Sequence, residues 1–288
     1  MSASSPTGAI LVTGATGNVG AEVLRLLAEQ GQDVRAAVRD VAAQRPQPPV
    51  TFVPFDFADA GTYAPALAGV RKVFLMRPPA LADTKRYVNP FIDAAQAAGV
   101  EQIAFLSLLG VEKNPVVPHY QVEKHLQASG MAWTMLRASF FMQNLSTTHR
   151  ADIRDGSQFF VPAGDGRTSF IDVRDVAAVA AKALTENGHQ NKAYPLTGSE
   201  AITYGDVAQI FSEELGRPIK YPRPGVLAFA LRMRARGMAW DFIGLMIGIY
   251  TTARHGLAGT VTPDTARLLG RAPITMRQFV RDYRDGWI

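Results

Sequence analysis

An α/β architecture, a doubly wound parallel sheet with a smaller C-terminal α/β cap, is predicted by three observations on this 288-residue sequence. Between residues 9 and 141, short apolar β-branched runs alternate with amphipathic stretches, as expected of a parallel sheet covered by helices on both faces. The first run leads directly into a glycine-rich turn and a helix. Hydrophobic residues make up 47% and charged residues 19% of the chain, a composition that excludes disordered and fibrous classes.

The apolar runs place strands at 9–13, 34–38, 51–55, 72–76, 102–106 and 134–136, joined by five crossovers. The proline-rich run 45–49 reads as a local loop between the second and third strands. Beyond it, a Phe/Gly-rich piece at 157–168 precedes helices at 172–186 and 206–215 and two more between 226 and 254. The expected division is a parallel-sheet domain over 1–155, with the 172–186 helix packing back on it, and a smaller cap over 156–288.

Cysteine is absent, which excludes disulfide frameworks, thiolate metal sites and cysteine nucleophiles. A reducing cytoplasmic location is expected, since residues 1–6 are small and polar and carry no secretory pattern. The net charge is +5, and the excess is C-terminal: residues 217–236 hold six basic and no acidic side chains. Such a surface could meet nucleic acid, an anionic membrane or a phosphorylated ligand, or be a solvated helix face. No zinc-finger or RNA-binding signature accompanies it, so no nucleic-acid partner is expected. The most apolar stretch, 237–250, is interrupted by Asp241 and falls short of the roughly 20 residues that a membrane span needs. It reads as a core or lid helix, with a membrane-surface helix as the second reading.

The turn after the first strand reads Gly14-Ala15-Thr16-Gly17-Asn18-Val19-Gly20 and opens a helix at 21–29. Gly14 permits a tight turn, Gly17 lets a pyrophosphate approach the backbone, and Gly20 lets the helix pack closely. The helix N-terminus supplies free N–H groups and the positive end of its dipole. Strand, turn and helix in that order are the context that makes this a Rossmann-type dinucleotide site rather than a bare turn. At the end of the second strand Arg39 precedes Asp40. An arginine there accommodates a ribose 2′-phosphate, so NADP(H) is favoured over NAD(H).

The turn, Asp56-Phe57, Leu75-Met76-Arg77-Pro78-Pro79 and the run Thr134-Met135-Leu136-Arg137-Ala138-Ser139-Phe140-Phe141-Met142-Gln143-Asn144 resemble the NmrA-like branch of the atypical short-chain dehydrogenases/reductases. So do Phe170-Ile171-Asp172-Val173-Arg174-Asp175-Val176-Ala177, Leu196-Thr197-Gly198 and Leu215-Gly216-Arg217. The resemblance spans nearly the whole chain. One departure is Ala138, where relatives usually carry proline. The branch includes quinone, azo-dye and triphenylmethane-dye reductases and non-catalytic regulators that sense dinucleotide. The resemblance implies cofactor contacts from Gly14, Thr16, Gly17, Asn18, Val19, Gly20, Arg39, Asp56, Phe57, Met76, Arg77, Ser107, His119 and Phe140. It also implies a small aromatic substrate held by Phe140, Phe141 and Asn144, and a homodimer is a possible assembly.

Ser107, Tyr120 and Lys124 fit the Ser/Tyr/Lys formula of the wider superfamily by spacing, the last two being four apart on a helix. A helical wheel argues against them. With the apolar face set by Val122 and Leu126, His119 lies about 40° from its centre, Tyr120 about 140° and Lys124 about 180°. The resembled branch reads His-x-x-x-Glu-x-x-Leu here, matched by His119, Glu123 and Leu126, which sets His119 where relatives with a full triad have lysine and Pro115 where they have tyrosine. His119 is therefore the candidate catalytic or ribose-binding residue, with Ser107, Tyr120 and Lys124 as the alternative. Phe140, Phe141, Met142, Phe159 and Phe160 are candidates to line an apolar slot or to pack a core. No Gly-x-Ser-x-Gly, phosphate-loop lysine or His-Glu-x-x-His is present, and the five histidines lack metal-ligand spacing. Two functions remain: an NADPH-dependent reductase of electron-poor aromatic compounds, and a dinucleotide-sensing regulator without turnover.

Overall fold

The computed structural model describes residues 8–45 and 47–288; the polar start of the chain and Pro46 of the 45–49 loop lie outside the described residues. Two compact units result, one from residues 1–138 and 173–196, the other from 139–172 and 197–288. The boundary therefore falls at 138/139 instead of 155, directly after the sixth strand, because the following residues join the second unit's own small sheet.

The first unit is built on a seven-stranded sheet. Six strands follow the apolar runs: β1 (Ala9–Val12), β2 (Val34–Val38), β3 (Val50–Pro54), β4 (Val70–Leu75), β5 (Gln102–Leu108) and β6 (Ala132–Ala138). They lie in the order β3-β2-β1-β4-β5-β6, and a seventh strand, Lys192–Leu196, closes the β6 edge. Every neighbouring pair is parallel. The seventh strand was not expected from the sequence. Its Pro195 removes a ladder donor, which an edge strand tolerates and a central one does not. β1 is buried throughout, as a strand covered on both faces must be.

Helix α1 (Asn18–Glu29) follows β1, and the helix Val173–Thr185 packs beside it on the sheet. Lys72 Nζ and Gln102 Nε2 donate to the Leu184 and Ala183 carbonyls at the end of that second helix (2.6 and 3.1 Å), which ties the returning segment to β4 and β5. The strand order reverses between β1 and β4, and in open α/β sheets ligands bind outside the strands' carboxyl ends at such a switch point.

The second unit holds a three-stranded sheet in the order Ala201–Ile202, Thr168–Ile171, Phe140–Phe141. Its core gathers Phe159, Phe170, Tyr204, Phe211, Phe229, Tyr250, Phe279 and Trp287. Met142 and Phe159, two of the candidate slot residues, belong to this core. Phe160 is covered by the Arg232 guanidinium, 4.1 Å from the ring centroid. Helices α3 (Val226–Ala235) and α4 (Trp240–Arg254) pack on one another; the helix Pro118–Ala128 of the first unit is α2. The apolar stretch 237–250 is thus only half a core helix. Ile243, Met246 and Tyr250 are buried, whereas Phe242, Leu245 and Ile249 face water.

Candidate functional site

The glycine turn assigns a different reason to each of its three glycines. Gly14 has φ +62°, and a Cβ there would lie 2.1 Å from Met76 Cε. Gly20 comes so close to the turn that a Cβ would stand 2.1 Å from the Gly14 carbonyl oxygen. Gly17 is under neither constraint. Its φ of −88° and ψ of 168° suit any residue, and its nearest neighbours to a Cβ would be Gly14 O at 3.3 Å and Met76 Cε at 3.4 Å. The fold asks for little more than a slight adjustment there.

Gly17 is also the N-cap of α1, and no side chain caps that end. The first-turn N–H groups of a helix have no intrahelical acceptor, so those of α1 are available to an anion. Thr13, not singled out from sequence, holds the opposite wall. Its Oγ1 accepts from the Met76 amide (2.8 Å) and donates to the Phe74 carbonyl (3.1 Å), which fixes the segment after β4 beside the turn. A buried threonine directly before the first glycine is the signal that could have found it.

At the end of β2 the two charged neighbours differ. Asp40 Oδ1 accepts from the Ala43 amide (3.1 Å), a local turn. Arg39 is exposed and makes no hydrogen bond or ion pair among the described residues. After β3, Asp56 Oδ1 accepts from the Ala58 amide (2.9 Å), while the Phe57 ring is buried against Phe55 and Phe91. The Phe57 ring is therefore core, and its carbonyl accepts from the Tyr63 hydroxyl (2.7 Å).

Arg77 and His119 lie past β4 and β5. Arg77 donates from Nη1 to the carbonyls of Pro78, Pro79 and Leu81 (2.9–3.1 Å), yet its Nε is buried without a partner. Burial lowers its pKa. His119, beside the Phe105 ring, likewise has a buried Nδ1 without a partner. Burial, and secondarily the positive charge of Arg77, pushes its pKa down to about 3, so the ring is neutral near pH 7.

The Ser107, Tyr120, Lys124 alternative is not assembled. Ser107 Oγ donates to Glu123 Oε1 (2.6 Å), and Glu123 is buried in a two-pronged pair with Arg137 (3.0 and 2.7 Å) that extends to Glu112. Ser107 is thus part of a structural network between β5, β6 and α2. Lys124 is exposed, donates to Gln127, and sits 5.5 Å from the Tyr120 ring centroid. Val122 and Leu126 form the buried face, as the helical wheel has it.

In the second unit Phe140 and Phe141 are half-buried. Phe140 meets Phe170 edge-on at 5.7 Å and Tyr250 at 6.1 Å. Asn144 is half-buried, and its carbonyl accepts from the His149 amide.

A parallel sheet whose order reverses between β1 and β4, with a glycine turn opening α1 at that point, defines a Rossmann-type α/β protein. Residues 6–228 match the NmrA-like family, and the chain belongs to that family. It is 36% identical over 280 residues to the NAD(P)H azoreductase of Xenophilus azovorans, covering 94% of this chain and 96% of that protein. Among solved structures it is similar to the NADPH-dependent quinone oxidoreductase of Escherichia coli complexed with NADPH, at 27% identity and TM-score 0.85 over 96% of this chain and 99% of that one. It is also similar to the triphenylmethane reductase of Citrobacter sp. complexed with NADP(H), at 25% identity and TM-score 0.82 over 95% and 99% of the two chains.

Proposed function

We propose that the protein is an NADPH-dependent oxidoreductase that transfers hydride to an electron-poor aromatic acceptor such as a quinone or an azo compound. The observation that carries the cofactor half of this reading is Gly17, a glycine that the fold barely requires, at the uncapped start of α1. The residues present fit a dinucleotide: the α1 N–H groups would hold its pyrophosphate, and the unpaired Arg39 a 2′-phosphate. The orphaned Arg77 Nε–H and His119 Nδ1 await polar partners of the kind a ribose and carboxamide offer. The names of the relatives, an azoreductase, a quinone oxidoreductase and a dye reductase, support the acceptor class.

When bound, the reduced nicotinamide supplies the hydride. The chain's own residues then bind and orient. A ring with a pKa of about 3 carries no transferable imidazolium proton near pH 7, so His119 acts as a hydrogen-bonding and positioning group and not as a general acid. Quinones and azo groups need little acid assistance, which agrees with a site lacking the tyrosine formula. The family resemblance assigns Phe140, Phe141 and Asn144 to the acceptor. Among the described residues no helix is long and apolar enough to cross a membrane.

The test is to incubate the protein with NADPH and a panel of small quinones and azo dyes and follow the cofactor's near-ultraviolet absorbance. Acceptor-dependent loss of absorbance is expected. Tight NADPH binding with no turnover on any acceptor would replace the reductase with a dinucleotide sensor.

A further inference from the structure

We propose that the outer faces of α3 and α4 dock the protein on an anionic lipid bilayer. α4 is apolar almost all round, a pattern that ordinarily means burial on every side. Only the stripe Ile243, Met246, Tyr250 and Ala253 is buried. The opposite stripe, Phe242, Leu245 and Ile249 at helical spacing, faces water. α3 repeats the arrangement, burying Phe229 and Met233 and exposing Leu227 and Leu231. The exposures are large: 72% for Leu227, 57% for Leu231, 58% for Trp240 and 51% for Leu245. Exposed apolar residues gathered on one helix pair, instead of scattered singly, mark an interaction surface.

Charge selects the occupant. Residues 220–257 contain six Lys and Arg and one acidic residue, Asp241. Arg232 and Arg236 are committed to the buried Asp152, and Arg223 to Asp165. Lys220, Arg234 and Arg254 have no carboxylate partner among the described residues. Arg234 lies beside the exposed Trp240, 5.9 Å from its ring centroid, a pairing suited to the boundary between headgroups and acyl chains. At the far end of α4, Arg254, His255, Arg167 and Thr260 line an open cleft of about 790 Å³ together with Asp165, whose carboxylate pairs with Arg223, and Leu257 is exposed. Apolar stripe, interfacial tryptophan and unpaired arginines at both ends of α4 together form the surface of a protein that lies on a membrane without spanning it.

A second copy of the chain is the competing occupant, and charge argues against it. A two-fold contact sets a face against itself, so the uncompensated Arg234 and Arg254 would face a second copy of the same positive surface with only Asp241 on these helices to offset them. An anionic bilayer complements the unpaired arginines.

The experiment is co-sedimentation of the full chain with vesicles of phosphatidylcholine alone and of phosphatidylcholine with phosphatidylglycerol, together with light scattering of the protein in solution. Partition into the anionic vesicles at low salt should exceed that into neutral ones by roughly tenfold or more, and added salt should erode it. Phe242→Ser and Leu245→Ser, both at exposed positions, should each lower the partition roughly tenfold. Arg234→Glu with Arg254→Glu should abolish the preference for anionic lipid, and circular dichroism should show each variant folded. Equal partition into the two vesicle types, no sedimentation with either, or a solution dimer that Leu245→Ser turns into monomers would each overturn the proposal. Neither cofactor nor acceptor is present in these measurements, so their failure leaves the reductase reading untouched.

Discussion

In the second unit Asp152 is buried with two guanidiniums on its carboxylate, Arg232 at 2.6 Å and Arg236 at 2.7 Å, and His149 is buried with Nε2 against the Tyr250 hydroxyl. In the first unit Arg77 Nε and His119 Nδ1 are buried without a hydrogen-bond partner. A buried polar group without a partner costs stability, and a bound ligand that supplies the partner would recover that cost. The second unit pairs its buried carboxylate and imidazole within itself, although its Ser139 and Thr168 hydroxyls are buried without partners; the first unit leaves a guanidinium nitrogen and an imidazole nitrogen unpaired. Within the first unit the turn glycines differ as well, since Gly20 serves the fold and Gly17 does not need to.

Breaking the paired set should cost the most. Asp152→Ala strands two guanidiniums, which are 29% and 34% exposed and can partly hydrate. Thermal or denaturant unfolding should therefore show a loss of about 2–4 kcal/mol, with dinucleotide affinity unchanged in the folded fraction.

His149 gives the same unit a pH signature. Burial above all lowers its pKa from 6.5 to about 4, so the unfolded chain takes up a proton at a higher pH than the folded one. Its contribution is complete above pH 6.5 and is lost as pH falls toward about 4, at most roughly 3 kcal/mol in total. Unfolding curves recorded across that window should show a shallower pH slope in His149→Gln than in the wild type.

The unpaired set should respond in affinity and not in stability. Gly17→Val should lower dinucleotide affinity roughly a hundredfold by calorimetry while leaving the unfolding midpoint nearly in place. Gly20→Val should do the reverse in order of events, destabilising the fold because its Cβ would collide with the Gly14 carbonyl. A Gly17 variant that binds normally would remove the contrast. On α2, His119→Ala should weaken cofactor binding or slow reduction by about tenfold, whereas Tyr120→Phe should change either by less than about twofold. Collapse of turnover in Tyr120→Phe would restore the triad that Ser107 and Lys124 otherwise fail to assemble.

What was legible in the sequence depended on how far apart the determinants lie. The turn at 14–20 has its chemistry within one short segment between an apolar run and a helix, so strand, turn and helix could be read together. The wheel on α2 is likewise local, and Val122 and Leu126 mark its buried side. The seventh strand was hidden by Pro195, whose neighbour β6 lies more than fifty residues earlier. That Ser107 is held by Glu123, and Glu123 by Arg137, depends on three elements meeting in space, which spacing along the chain does not reveal. Nor does composition show which side of α4 is buried, since both sides are apolar.

The central claim is that the unpaired groups of the first unit await a phosphorylated dinucleotide, and Arg39 tests it most directly. Its planar guanidinium can form paired charge-assisted bonds with a 2′-phosphate that a ribose hydroxyl cannot accept, each contributing roughly 1.5–3 kcal/mol. Calorimetric titration of NADP(H) and NAD(H) into the wild type and Arg39→Ala, at low and high salt, should show a wild-type preference for NADP(H) of about one to two orders of magnitude. The preference should shrink with salt and largely vanish in Arg39→Ala through loss of NADP(H) affinity alone. Equal affinity for both cofactors in the wild type, or an equal loss for both in the variant, would contradict the account.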